Sequence, residues 1–273
     1  MLEYKIFGND PNKEYVFLIH GIGGSANIFF PQIKSYRSHF NVVAVHLRGH
    51  KKSPSVLDVD DFSFKRAARD VVDVLDDIGV NKAHMVGISL GAVVTHQILA
   101  IAPHRVETAV LGGVITKITP LPKLLLLIGS MAKNFVPHMW LYTIFAHILM
   151  PRRNHRESRN SFIKEAAQMK RNEFLGWYDI APTVRGTFTE AAGPSAHVPK
   201  LYMMGEGDHM FIDHVLEDIS RLPHADFIEV KGSGHVVNLD APHTFNQYSL
   251  SFMKSKGAET EAPDQETDRR LRS

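Results

Sequence analysis

The chain has 273 residues, 44% of them hydrophobic and 22% charged, with a formal net charge of +2. This is the make-up of a globular protein able to bury a large core, and the near-balanced charge excludes a strong field toward nucleic acid. With no cysteine, disulfides, thiolate catalysis and cysteine–zinc sites are excluded as well.

The first residues, MLEYKIFGND, show no basic start followed by an apolar run, so no secretory signal is expected and the location defaults to the cytoplasm. Tyr15 to His20 (YVFLIH) then predicts a fully buried strand. It runs into His20-Gly21-Ile22-Gly23-Gly24-Ser25-Ala26, a loop with two readings. Gly21, Gly23 and Ala26 satisfy G-x-G-x-x-A, a dinucleotide fingerprint that needs an acid about 20 residues on to hold the ribose hydroxyls. The next strand, Asn41 to Leu47 (NVVAVHL), leads instead to Arg48, which leaves only a 2′-phosphate cofactor to consider. In the other reading the loop lends a backbone N–H to an oxyanion. His46 and His50 are four apart, but Gly49 separates them at a strand end, so they do not form a helical metal pair.

Phe64, Ala67, Val71, Val74, Leu75 and Ile78 fall at helical steps, with Gly79 as the stop. The strand Lys82 to Ile88 follows and ends in Gly87-Ile88-Ser89-Leu90-Gly91, after which a helix is expected from Leu90 to about Ala102. A G-x-S-x-G sequence between strand and helix marks a sharp turn that pushes the serine hydroxyl out at the carboxyl end of a sheet. A plain turn rich in small residues is the alternative. Val106 to Leu111 is the next strand.

From about Ile115 to His197 the strand pattern stops and proline-broken helical stretches replace it, which predicts a helical cap over the end of the sheet. Met131, Trp140 and Phe145 belong to an apolar run there that either packs the cap's helices or walls a slot for an acyl or aromatic group. Lys123, Lys133, Pro137 and His138 interrupt it well short of the roughly 20 residues that span a bilayer. Arg152, Arg153, His155, Arg156 and Arg159 follow, either as a solvated helix face or as a landing patch for anionic lipid head groups.

Strands resume at Leu201 to Met204 and at Ala225 to Val230. Asp208 stands just past the first and His235 just past the second, completing the chain order Ser, Asp, His that a serine nucleophile on such a turn requires. A serine hydroxyl needs a base to take its proton, and the base needs an acid to fix its tautomer. Glu206 and Asp213 are rival acids, and His209, Asp213 and His214 could be imagined as metal ligands, although they read as the start of a polar helix.

HGIGGS (20–25), LRGHKKS (47–53), GISLG (87–91), GEGD (205–208) and GSGHVVNLDAPHTFNQ (232–247) together resemble the α/β-hydrolase superfamily, in particular its esterases, lipases and carbon–carbon bond hydrolases with a helical cap. The resemblance implies a mostly parallel central sheet flanked by helices, with Ser89 as nucleophile, Asp208 and His235 as its partners, and Ile22 and Leu90 as oxyanion-hole residues. It departs at His46, where the family often has aspartate, and at Lys51, where it often has glycine. The expected division is a core from 1–113 and 198–256, a cap from 114–197 and a loosely ordered polar tail from 257–273. The expected activity is cleavage of carboxylic esters through an acyl-enzyme, without metal or cofactor, on a small molecule carrying an apolar group, with Trp140, Phe145 and Met131 as candidate substrate contacts. Carbon–carbon bond hydrolysis, perhydrolysis, or ligand binding on the same scaffold are the alternatives, peripheral membrane contact is open, and the oligomeric state is not legible.

Overall fold

The computed structural model describes residues 1–133 and 135–256. The tail expected from 257 lies outside the described residues. In chain order the elements are β1 (Tyr4–Phe7), β2 (Tyr15–Ile19), α1 (Phe30–Tyr36), β3 (Asn41–Val45), α2 (Phe64–Asp77), β4 (Ala83–Ile88), α3 (Leu90–Ile101) and β5 (Val106–Gly112). Five helices follow without a strand: α4 (Pro120–Ala132), α5 (His138–Leu149), α6 (Arg156–Ala166), α7 (Arg171–Ile180) and α8 (Val184–Ala192). Then come β6 (Lys200–Gly205), α9 (Ile212–Ile219), β7 (Ala225–Val230), α10 (Val237–Asp240) and α11 (Pro242–Lys254).

The strands form one seven-stranded sheet in the order β1-β3-β2-β4-β5-β6-β7. All neighbours pair in parallel except β1, which runs antiparallel to β3. β3, β4 and β6 are buried at every position, as strands covered on both faces must be, and this is why they read as predominantly apolar runs. β1 escaped that pattern. It is a four-residue edge strand with Lys5 and Ile6 exposed, so only its pairing with Val42 to Val45 identifies it.

Right-handed crossovers place α1, which leads from β2 back to β3, on the face opposite α2 and α3, which lead the other way across the sheet. Between β2 and β4 the chain therefore departs in opposite directions, and the carboxyl ends of these two strands leave a crevice. α2 buries only one side, capped at its start by Ser63, whose hydroxyl accepts from the Arg66 N–H. α3 is buried throughout Leu90 to Leu99, because α2 and α8 cover what the sheet does not. Among the described residues no helix is long and apolar enough to cross a membrane.

The loop after β3 is fixed to α2 by a buried ion pair. The Arg48 guanidinium donates to Asp70 through Nε (2.7 Å) and Nη2 (2.9 Å), and its Nη1 donates to the Ser55 carbonyl. Only 4% of Arg48 is exposed, so a guanidinium without its carboxylate would be stranded in a low-dielectric interior. Asp70→Ala is expected to cost about 3–5 kcal/mol of folding free energy, read as a lower urea midpoint with an unchanged slope.

Candidate active site

Ser89 sits where β4 turns into α3, with φ 55° and ψ −117°. A non-glycine residue held there stores about 1–3 kcal/mol of strain, which the surrounding contacts must offset. The Ser89 N–H donates to the Gly112 carbonyl at 2.9 Å, and the Ser89 carbonyl accepts from the Ala92 and Val93 N–H groups. The turn fits because its flanks lack side chains. A Cβ on Gly91 would stand 2.0 Å from the Ile19 carbonyl oxygen, and one on Gly87 2.5 Å from the Gly91 oxygen. Tight crossing of helix and strand thus lifts the Ser89 hydroxyl into the crevice.

The loops after β6 and β7 bring the other two residues to the same edge. His235 Nε2 lies 2.8 Å from Ser89 Oγ, and His235 Nδ1 lies 2.8 Å from Asp208 Oδ2. With Nδ1–H donated to the carboxylate, Nε2 is left to accept from the serine hydroxyl. Asp208 and His235 have no exposed surface and Ser89 has 6%, so water screens this line poorly. The rival acids are elsewhere. Glu206 accepts from the Gly232 N–H, and Asp213 points to solvent at the start of α9.

Ile22 and Leu90 line one cavity together with Ser89. The Ile22 loop is held by two histidines whose sequence positions do not reveal this role. His20 Nδ1 faces the Gly21 carbonyl at 2.7 Å, while its Nε2 accepts from the Leu47 N–H. His50 Nε2 accepts from the Gly23 N–H at 2.9 Å, with its Nδ1 turned toward the Leu47 and Arg48 carbonyls. Both rings must be neutral to accept. Burial pushes His50 down to about 4 and His20 well below its ordinary value. The strand-free segment grips the same region: Tyr142 of α5 donates to the Ile22 carbonyl, and Trp177 of α7 to the Arg48 carbonyl. Two of its carboxylates complete the hold. Glu165 of α6 accepts from Ser25 and Asn27 and pairs with Lys51, and Glu173 of α7 accepts from the Ser55 hydroxyl and the Val56 N–H.

Ser89 and His235 open on a cavity of about 230 Å³ whose other walls are almost wholly apolar. α4, α5 and α7 supply most of that wall, through residues such as Leu125, Phe145, Ile148, Phe174 and Trp177. On the other flank of Ser89 lies a recess of only about 10 Å³ between Gly21, Ile28, Val236 and Phe162. Of the three residues expected at the substrate, the structure brings Phe145 to the cavity and leaves out two. Met131 and Trp140 turn outward, 71% and 66% exposed, because α4 and α5 carry large apolar residues on their outer faces as well as their inner ones. Periodicity alone does not say which face is which.

His155 also differs from the basic run in which it reads. It is fully buried against Gly207 and Gly234, neighbours of Asp208 and His235, and a Cβ on Gly234 would stand 2.7 Å from its Nδ1. Neither of its ring nitrogens, nor Asp208 Oδ1, has a hydrogen-bond partner among the described residues.

A strained serine turn on this strand order, with aspartate and histidine reaching it from the next two strand ends, is the arrangement of the α/β hydrolases. The model of the alpha/beta hydrolase family matches residues 16–248, and the chain belongs to that family. It is 29% identical over 260 residues to Carboxylesterase YbfK of Bacillus subtilis, an alignment covering 87% of this chain and 79% of that one. Among solved structures it resembles a carboxylesterase from Nitrososphaera gargenis, with a TM-score of 0.78 at 17% identity, over 93% of this chain and 94% of the other. A thermophilic esterase from Thermogutta terrifontis superposes with a TM-score of 0.73 at 17% identity, covering 94% of each chain.

Burial holds His20, His46, His50, His84 and His96 below the ordinary histidine value, His96 at about 3. The unfolded chain takes up these protons near pH 6.5, the folded chain only at lower pH. Stability is therefore complete above pH 6.5 and falls as pH drops toward 4, by on the order of 3 kcal/mol for His50 alone. Urea midpoints measured from pH 7.5 down to 4.5 should fall steadily, and His50→Gln should flatten the slope by about one proton.

Proposed function

We propose that this protein is a serine hydrolase that cleaves carboxylic esters through an acyl-enzyme. The observation that carries the reading is the hydrogen-bonded line Asp208–His235–Ser89 ending at the floor of an apolar cavity. His235 Nε2 takes the Ser89 proton as Oγ attacks the ester carbonyl, and Asp208 steadies the imidazolium that forms. The Ile22 and Leu90 N–H groups receive the carbonyl oxygen as it gains charge, each worth about 3–4 kcal/mol of barrier. His235 then hands its proton to the departing alkoxide. Water repeats the attack on the acyl-enzyme with His235 again as base, and the acid leaves with Ser89 restored.

The substrate reading rests on the two unequal spaces beside Ser89. A large apolar group fits the larger cavity, whereas the small recess has room for about one water-sized group. Residues 114–197 then serve as a cap over a core formed by 1–113 and 198–256, and the walls of α4, α5 and α7 choose the substrate. The carboxylesterases among its relatives support the ester class.

A fluorophosphonate should label Ser89, and Ser89→Ala should abolish labelling and lower turnover about a millionfold, with Asp208→Ala costing rather less. In a panel of p-nitrophenyl esters, activity should rise with acyl length until the cavity is filled. A folded protein that stays unlabelled at neutral pH would overturn the triad, and normal labelling without turnover of any ester would redirect the chemistry to carbon–carbon or peroxide substrates.

A further inference from the structure

Large apolar side chains on a soluble surface are normally scattered singly. Here eight of the twelve exposed ones among the described residues fall between Leu121 and Ile144. On α4 they recur at helical steps through Leu124, Leu127 and Met131, and the series continues through Phe135 (87% exposed), between the two helices, to Trp140 and Ile144 on α5. The opposite side of α4 is apolar as well, since Pro122 and Leu125 line the cavity. A helix that carries large apolar residues on both its inner and its outer side is at home only where something other than water covers the outer ones.

Charge says what that cover is. From 108 to 156 the chain carries six lysines and arginines and no aspartate or glutamate. Lys117 and Lys133 are matched by Glu217, Asp218 and Asp179. Lys123, Arg152, Arg153 and Arg156 have no carboxylate partner among the described residues. Pairing of this face with a second copy by two-fold symmetry would set like charges together. An anionic bilayer offers both complements at once, acyl chains for the apolar stripe and phosphates for the cations, each cation near such a surface adding about fivefold to affinity. The cavity reaches the same patch, because Ile128 and Ile144 line it and are also 53% and 56% exposed.

We propose that the outer face of α4 and α5 is a docking surface for anionic phospholipid membranes, and that the cavity draws its apolar substrate from the docked bilayer. Docking stands independently of the hydrolytic reading, and only the delivery of substrate rests on it. The chain has two tryptophans, and Trp177 is buried, so a change in emission on binding reports Trp140.

The full chain should float with vesicles of phosphatidylcholine and phosphatidylglycerol in equal parts, with a blue-shifted emission that Trp140→Phe removes. Binding to phosphatidylcholine alone should be at least about tenfold weaker. Combined Leu124→Ser, Leu127→Ser and Met131→Ser should lower vesicle affinity at least about tenfold while leaving the urea midpoint and the turnover of a soluble short-chain ester unchanged. Lys123→Glu with Arg152→Glu and Arg153→Glu, which spares the apolar stripe, should remove the preference for anionic vesicles. Ser89→Ala should float like the native chain, so a failed hydrolytic reading would leave docking intact. Absence of flotation, or flotation untouched by the serine substitutions, would overturn the proposal. So would a dimer in light scattering that those substitutions dissociate, since the face would then belong to a second copy.

Discussion

Contact between the first turn of α3 and the end of β2 is the constraint on which the site depends. Only hydrogen separates Gly91 from the Ile19 carbonyl, and Gly87 from Gly91. Because helix and strand meet this closely, the residue between β4 and α3 is forced to positive φ, and its side chain has only the crevice to enter. The crevice exists because the chain leaves β2 and β4 in opposite directions. Ser89 is thus placed by backbone geometry before any side chain of the site is considered, and His235 and Asp208 reach it because parallel strands end on one edge.

The five helices between β5 and β6 do more than cover this edge. Their polar ties converge on two loops, 20–25 after β2 and 46–56 after β3, through Tyr142, Glu165, Glu173 and Trp177. From below, neutral His20 and His50 hold the same loops by accepting backbone N–H groups. The Ile22 loop is therefore set from both sides, by imidazoles of the sheet layer and by side chains of α5 and α6.

Features that local sequence dictates were legible. Six strands, α2 and α3 follow from apolar runs and helical steps. The serine turn, the aspartate and the histidine follow from their positions just past strands. What depends on partners distant in sequence was not legible. β1 exists through its pairing with β3, and its short YKIF carries no buried run. His155 reads as one of a basic run, yet it fills the space between two glycine-bearing loops some 50 and 80 residues on. Met131 and Trp140 share an apolar pattern with Phe145, and only the placement of α4 and α5 decides that Phe145 alone turns inward.

The two carboxylate clamps imply that one insertion is fastened by two kinds of force. α6 and α7 hold the loops below through Glu165 and Glu173, with the Lys51–Glu165 pair partly open to water. α4 and α5 rest mainly on apolar contact around the cavity. Added salt screens the Lys51–Glu165 pair, while cooling weakens the apolar contact. High ionic strength and low temperature therefore loosen opposite halves of the same segment, the first at the Ile22 loop and the second at the cavity wall.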